Sequence, residues 1–241
     1  MSNKSSIAVV CYSKHRQQQA KEFCHSHALS LLKKKNDNHE LQLIFHDDLI
    51  ELYDLELDTT ISVDFIKGNL AHRQEFGGGR GQAIAKAVGL KSGNTPTILD
   101  ATAGLAGDAF VLASLGCSVT LIERSPIIFT LLENAVERAS LNEKFTPILN
   151  QGFHLINQDA IDYISHQLEK NTEPPDVIYI DPMYPDRKKS ALVKKDMQIL
   201  QRLHDKDEKT SELLETALLY AKKRVVVKRP THAETLNNRK P

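Results

Sequence analysis

Short apolar runs alternate with segments of helical periodicity over most of the chain. The apolar runs predict strands at 98–99, 119–122, 154–156, 176–180 and 224–228. Between them, apolar residues at helical spacing predict helices at 108–115, 127–139, from residue 160 to about 168, 192–204 and 211–222. The resulting βαβαβαβαβ order predicts a doubly wound α/β fold with a mostly parallel, Rossmann-like sheet.

The first 66 residues follow a different pattern. They predict a strand at 6–12, one amphipathic helix at 16–35, and short strands at 41–45, 49–52 and 61–65. We therefore expect a small N-terminal α+β domain at 1–66, followed by the main α/β domain at 67–241.

A loop of small residues after the first strand of the main domain is a candidate ligand site. It contains Gly104 and Gly107 and precedes a helix, so backbone N–H groups at the helix N-terminus are open to a negatively charged group. Glu123 closes the next strand, where a carboxylate can accept hydrogen bonds from two ribose hydroxyls. The pattern predicts a site for an adenosine-containing cofactor, and the alternative is an α/β turn that binds no nucleotide.

Two cofactor classes compete for this loop. A dinucleotide requires G-x-G-x-x-G, but Ala106 and Ala109 occupy the second and third glycine positions counted from Gly104. S-adenosylmethionine has no pyrophosphate, and its ammonium and carboxylate suit an acidic strand end beside a glycine-rich turn. Asp100, Gly104 and Asp108 supply these groups, so the sequence favours S-adenosylmethionine over NAD.

Asp159 follows the third strand of the main domain. A carboxylate at this strand end can bind an adenine amino group. It can equally serve as the N-cap of the helix that follows. Both interpretations stay open at this point.

The motif Asp181-Pro182-Met183-Tyr184-Pro185 follows the fourth strand, where α/β proteins bind ligands. An amine on a nucleobase is a weak nucleophile and needs acceptors on its N–H bonds as positive charge develops. The Asp181 carboxylate and the Pro182 carbonyl are such acceptors, and Tyr184 offers a face on which a base can stack. We therefore predict catalysis here, the alternative being a proline-bounded turn.

Charge is unevenly distributed, although the formal net charge is zero. Residues 36–66 contain acidic side chains and no Lys or Arg. Two basic clusters are present: Arg187, Lys188, Lys189, Lys194 and Lys195, and Lys222, Lys223, Arg224, Lys228 and Arg229. If the clusters share a face, they would attract nucleic-acid phosphates; otherwise each is a solvated face.

A second glycine-rich segment, at 77–81, contains Arg80 and precedes a helix predicted at 82–88. It suits contact with a carboxylate or phosphate, and the alternative is a flexible linker.

Composition limits the class of protein. The chain is 41% hydrophobic and 26% charged, which is typical of globular proteins, and no apolar run approaches the ~20 residues of a membrane span. The N-terminus lacks the apolar region of a signal peptide, so we expect a cytoplasmic protein. Three cysteines without a C-x-x-C pair, and histidines without partners at ligand spacing, indicate neither disulfides nor a metal site.

The segments DATAGLAGDAF, LIERSP, YIDPMYPDRKKSALVKKDM and VVVKRP, together with FGGGRGQAIAKAVG, resemble the ribosomal RNA small subunit methyltransferase J family. The resemblance covers about residues 65–230. It implies transfer of a methyl group from S-adenosylmethionine to N2 of a guanosine in 16S ribosomal RNA. The implied cofactor contacts are Gly107, Asp108, Glu123, Arg124, Asp159, Ala160 and Asp181.

Two departures from the family pattern concern the first loop and the end of the chain. Ala106 replaces a glycine, which raises the question of whether its methyl group blocks a ligand. Two further strands expected after 224–228 are not visible, so either the chain is cut short or the N-terminal domain covers that sheet edge.

Other functions are also compatible with these motifs. One is methylation of another planar amine, such as adenine N6 or a protein side chain. Another is a ribosome-associated binding module without turnover. The sequence leaves open the modified nucleotide, naked RNA or an assembled subunit as substrate, and the oligomeric state.

Overall fold

The computed structural model describes residues 6–67, 79–182, 195–203 and 209–230, together with residue 236. The strands are β1 Ile7–Cys11, β2 Ser30–Leu32, β3 Leu41–Phe45, β4 Ile50–Asp54, β5 Thr59–Ile61, β6 Ile98–Asp100, β7 Val119–Glu123, β8 Phe153–Asn157, β9 Val177–Ile180 and β10 Arg224–Val227. The helices are α1 Gln17–His27, α2 Ala83–Ala87, α3 Gly107–Ser114, α4 Pro126–Ser140, α5 Thr146–Asn150, α6 Ala160–Glu169, α7 Lys195–Leu203 and α8 Thr210–Tyr220.

The main sheet is parallel throughout, in the order β10-β9-β6-β7-β8. Its strands are apolar on both faces. One face packs with α3 and α4 in the larger core, and the other packs with α6 and α8. The predicted doubly wound α/β fold is confirmed, with helix α5 as an element that the periodicity did not predict.

Strand order reverses between β6 and β9, which are neighbours in the sheet. The chain continues from β6 to β7 on one side and from β9 to β10 on the other. Open α/β sheets bind ligands in the crevice at the carboxyl ends of the two strands at such a switch point. Asp100 ends β6, and Asp181 directly follows β9.

The N-terminal sheet is mixed, in the order β2-β1-β3-β4-β5. Strands β1 to β3 are parallel to one another, and β4 and β5 are antiparallel to their neighbours. The helix predicted at 16–35 is wrong beyond His27, because Ala28 turns into the left-handed region with φ of 52°. The apolar residues at 29–32 fit a strand as well as a helix, and pairing with β1 makes residues 30–32 a strand.

Helix α4 is the main-domain surface against which this sheet packs. The Ile50 N–H donates to Asn134 Oδ1 at 3.0 Å, and Asn134 Nδ2 donates to the Asp48 carbonyl at 3.2 Å. Phe65 stacks on Phe110 with ring centroids 4.7 Å apart. The two sheets therefore share one continuous core, and the domain boundary at residue 66 stays a proposal.

One of the two explanations for the missing strands, that the N-terminal domain covers the last strand edge, is not supported by strand pairing among the described residues. Strand β10 lies at the edge of the main sheet, and none of the described N-terminal strands pairs with it. No strand after β10 is present in that part of the chain either.

Helix α7 binds acidic residues of the N-terminal sheet and of the loop after β4. Arg202 pairs through Nη1 with Asp54 Oδ2 at 3.0 Å and through Nη2 with Glu56. Asp54 is fully buried, so this pairing compensates a charge that water cannot reach. Lys195 Nζ donates to the Leu57 carbonyl at 2.8 Å. The acidic residues of 36–66 are therefore partly a docking surface for α7.

Candidate active site

Carboxylates from three neighbouring strands meet at the switch point. Asp100 ends β6, Glu123 ends β7 and Asp181 follows β9, while Asp108 lies in the first turn of α3. Burial raises the pKa of Asp100, and the charges of Asp108, Asp181 and Glu123 add to the rise. The result is a negatively charged crevice.

Asp100 is the most enclosed member of this group, with 2% of its surface exposed. It accepts one hydrogen bond, from the Thr102 N–H at 3.0 Å. Burial raises the pKa of Asp100 to about 7, against the effect of that hydrogen bond, and the charges of the other carboxylates add to the rise. A cation that entered the crevice would relieve this cost.

Glu123 joins the loops that follow β6 and β7. Its Oε2 accepts the Gly104 N–H at 3.0 Å and its Oε1 accepts the Ser125 N–H at 2.7 Å. Burial raises the pKa of Glu123 to about 7, although these N–H groups and the nearby Arg124 charge lower it. Each carboxylate oxygen keeps a further lone pair, so ribose hydroxyls can still donate to Glu123.

The loop after β6 contains two residues with positive φ: Gly104 at 51° and Ala106 at 57°. Ala106 is 1% exposed and its side chain belongs to the core, so its methyl group packs inward. Gly107 begins helix α3 directly afterwards. The replacement of a family glycine by Ala106 therefore places no methyl group on the open side of the loop.

Asp159 is the N-cap of α6, and its Oδ1 accepts the Ile161 N–H at 2.9 Å. Ala160 is the first residue of that helix and is buried. Asn157 Nδ2 donates to the Glu123 carbonyl at 2.7 Å, which holds the end of β8 beside the end of β7. The capping interpretation of Asp159 is confirmed, and its contact with adenine stays a prediction.

Asp181 is held from two directions. Its backbone N–H donates to Thr102 Oγ1 at 2.7 Å, and its Oδ2 accepts from Lys228 Nζ at 2.7 Å. Lys228 Nζ also donates to Asp108 Oδ2 at 2.9 Å, and Tyr179 Oη donates to the same oxygen at 2.6 Å. Burial raises the pKa of Asp181, whereas Lys228 lowers it.

Thr102, Tyr179 and Lys228 are site residues that the sequence pattern did not predict. Lys228 directly follows a parallel strand, so its place at the carboxyl edge could have been predicted from the strand rule. Its sequence neighbours instead place it in the basic cluster at 222–229. That grouping is wrong as a single patch, because Lys222 and Lys223 precede β10 and pair with Glu173 and Asp176.

Several predicted residues lie outside the described part of the chain. They are Tyr184, Arg187, Lys188, Lys189 and Lys194. Of the other predicted contacts, Pro182 is buried and directly follows Asp181 in the chain, and Lys195 donates to the Leu57 carbonyl, between β4 and β5.

The glycine-rich segment is described from Gly79 onward. Arg80 Nη1 donates to the Lys91 carbonyl at 2.8 Å, and its charge acts on Cys117, which precedes β7. This position is near the amino end of β7, away from the carboxylates. Ligand contact is therefore not supported for Arg80.

A cavity of about 380 Å³ also lies away from the carboxylates, near the amino ends of β6, β7 and β9. Ion pairs occupy its rim, including Lys222 with Glu173 at 3.1 Å. The carboxylates Asp100, Glu123 and Asp181 do not line it, so the switch point is the better candidate for the active site.

Two kinds of feature are absent from the described residues. They contain no group of three or more His, Cys, Asp or Glu side chains arranged to hold a metal ion. No helix among them has the length and apolar composition to cross a membrane.

The parallel sheet and the acidic switch point are those of an S-adenosylmethionine-dependent methyltransferase. The family model described as "Putative SAM-dependent methyltransferase" matches residues 24–241. The solved SAM-dependent methyltransferase NGO1261 from Neisseria gonorrhoeae is 31% identical, with a TM-score of 0.74 over 97% of this chain and 89% of that chain.

More similar relatives define the family further. The ribosomal RNA small subunit methyltransferase J of Shewanella amazonensis is 50% identical over 86% of this chain and 82% of its own length. The corresponding protein of Colwellia psychrerythraea is 52% identical over 84% of this chain and 73% of its own length. The chain belongs to the ribosomal RNA small subunit methyltransferase J family. S-adenosylmethionine is its cofactor, and buried carboxylates suit the cationic groups of that molecule.

Proposed function

We propose that this protein methylates the exocyclic N2 of a guanosine in 16S ribosomal RNA, in the cytoplasm. The observation that carries the proposal is the position of Asp181 at the switch point, beside the side chains of Asp100, Asp108 and Glu123 that are proposed to hold the cofactor. The relatives of this protein are named for the small-subunit ribosomal RNA, which supports RNA as the substrate, either naked or in a subunit particle.

Asp181 is the proposed hydrogen-bond acceptor for the guanine amine. Lys228 occupies Oδ2, and Oδ1 has no hydrogen bond to any described residue. The lone pair of the amine is delocalised into the ring, so a carboxylate that accepts its N–H favours attack as positive charge develops. The Pro182 carbonyl is a second acceptor, and Tyr184 is the stacking platform in this proposal.

The other site residues hold the cofactor, which supplies an electrophilic methyl group when bound. Asp100 and Asp108 would hold its ammonium, and the N–H groups near Gly104 and Gly107 would hold its carboxylate. In the same proposal, Glu123 and Arg124 hold the ribose, and Asp159 and Ala160 hold the adenine.

The basic run after the motif is proposed to contact RNA phosphates. It comprises Arg187, Lys188, Lys189, Lys194 and Lys195. The Lys195 amine donates to a neutral carbonyl, which leaves its positive charge uncompensated by that contact. A phosphate can therefore still be attracted to Lys195.

The test is single-turnover methylation of small-subunit RNA, followed by mass identification of the methylated nucleoside. Asp181→Asn keeps the side-chain shape and should lower kcat by ~10² to 10³, whereas cofactor affinity should fall much less. Near-normal turnover would remove Asp181 from catalysis. Methylated adenosine or methylated protein would replace guanine N2 as the target.

Tyr184 provides a second arm of the same experiment. Tyr184→Ala should weaken substrate placement by ~1 to 3 kcal/mol, as loss of aromatic stacking does elsewhere. Tyr184→Phe is the matched control and should be mild, because the ring face is retained.

A further inference from the structure

The backbone fixes Lys228 beside Asp181. Strand β10 pairs with β9 so that Val227 lies opposite Ile180, and the Lys228 N–H donates to the Ile180 carbonyl at 2.8 Å. The two residues that follow these strands are therefore neighbours across the sheet. The side chains complete the arrangement, with Nζ 2.7 Å from Asp181 Oδ2.

We propose that Lys228 is a positioning residue that keeps the Asp181 carboxylate ionised and leaves Oδ1 for the substrate amine. This inference rests on the proposed role of Asp181 as the acceptor. Lys228 takes no part in bond making, since its ammonium acts through Asp181.

The charges around Asp181 explain why it needs such a partner. Asp108 of α3 faces it as a like charge, and Asp100 at the end of β6 is a further acidic neighbour. Tyr179 of β9 is neutral and donates its hydrogen bond to Asp108. Burial raises the pKa of Asp181, and Asp108 raises it further. Lys228, directly after β10, opposes both effects through its hydrogen bond and its charge.

Removal of the Lys228 ammonium should raise the pKa of Asp181. An acceptor carboxylate must be ionised, so activity falls as pH falls through the pKa of Asp181. Lys228→Met removes the contact that lowers this pKa, so the acid limb of kcat should move to higher pH. An opposite charge at hydrogen-bond distance typically changes a pKa by 1 to 3, so we expect a shift of roughly 1 to 3 pH units. Part of the activity that Lys228→Met removes should return in alkaline buffer.

The experiment compares pH profiles of single-turnover methylation for matched variants. Lys228→Arg keeps the charge and should retain the wild-type profile, and Lys228→Gln provides a second neutral variant if Lys228→Met does not fold. Lys223→Met is the control, because it removes a lysine that pairs with Asp176 at the other end of β10. The profile of Lys223→Met should not move.

A double variant tests whether Lys228 acts through Asp181. If it does, Lys228→Met combined with Asp181→Asn should be no less active than Asp181→Asn alone. A pH-independent loss in both neutral Lys228 variants, or additive losses in the double variant, would overturn the inference.

A measurement without RNA separates this inference from the proposed function. In the cofactor-free protein, Lys228→Met should lose more stability than wild type as pH rises from about 5 to 8, since a carboxyl with a raised pKa resists ionisation in the fold. The extra loss should disappear in the Asp181→Asn background. If this titration is seen but wild type does not methylate RNA, the proposed function fails and the charge control by Lys228 stands. If the titration is absent in both neutral variants, the charge control fails.

Discussion

Asp100→Asn should make the cofactor-free protein less sensitive to pH. Asp100 is 2% exposed, and burial raises its pKa to about 7 from an ordinary value of 3.8. The substitution keeps an oxygen that can accept the Thr102 N–H, so the fold should be preserved. What it removes is the cost of ionising a carboxyl that water barely reaches.

The direction in which stability changes with pH follows from whether the folded or the unfolded protein binds the proton of Asp100. Between pH 4 and 7 the unfolded chain has released the proton of Asp100 and the folded protein retains it. Stability from this group is therefore fully present below pH 3.8 and is lost as pH rises towards about 7. At 1.36 kcal/mol per pH unit, wild type should lose about 2 kcal/mol more than Asp100→Asn between pH 5.5 and 8.

Urea denaturation of both proteins across this pH range measures the difference directly. Asp162→Asn, at an exposed position, is the matched control. Parallel pH curves for wild type and Asp100→Asn would show that burial does not hold the proton on Asp100.

Cofactor binding should draw the same proton away, because a cation near Asp100 favours the carboxylate. Calorimetry at pH 6.5, in buffers of different ionisation enthalpy, should therefore detect proton release in wild type. Asp100→Asn should release fewer protons.

Three further predictions concern binding and assembly. Glu123→Ala should weaken S-adenosylmethionine binding by roughly 1 to 3 kcal/mol in calorimetry. NAD should not bind to either protein. The substitution also leaves two N–H groups without their acceptor, so the free energy of unfolding is measured for both proteins as a control. Triple alanine substitution at 187–189 should flatten the log–log salt dependence of RNA binding by about 0.7 to 0.9 for each phosphate that is no longer neutralised, and an unchanged slope would mean a solvated face. Asn134→Ala should lower the free energy of unfolding by about 1 to 3 kcal/mol, because it strands the Ile50 N–H, whereas exposed Asn150→Ala should have little effect.

Periodicity predicted the main sheet well because its strands are apolar runs and most of the helices between them carry apolar residues at helical spacing. It failed at residues 28–35, where Leu31 and Leu32 fit either period. Pairing with β1, a strand some twenty residues earlier in the chain, decides between strand and helix there. Local sequence contains no information about that pairing.

The candidate site was predictable wherever a carboxylate ends a strand, as for Asp100, Glu123 and Asp181. Lys228 escaped prediction because its sequence neighbours are basic, whereas its spatial neighbours are acidic. Tyr179 lies in a buried apolar strand, so its sequence context indicates a core residue, although its hydroxyl donates to Asp108. Charge counted along the chain is therefore a poor guide to charge around a site.

The contact between α7 and the N-terminal sheet has a consequence for folding during synthesis. Strands β1 to β5 are complete by residue 61, but Arg202 meets Glu56 across 146 positions of sequence. A ribosome must add most of the chain before that contact can form, and contacts of such long range form slowly. Asp54 and Glu56 therefore lack their Arg202 partner until α7 has been synthesised. The contacts of Ile50 with Asn134 and of Phe65 with Phe110 can form earlier, so the α7 contact is the last part of this junction to be completed.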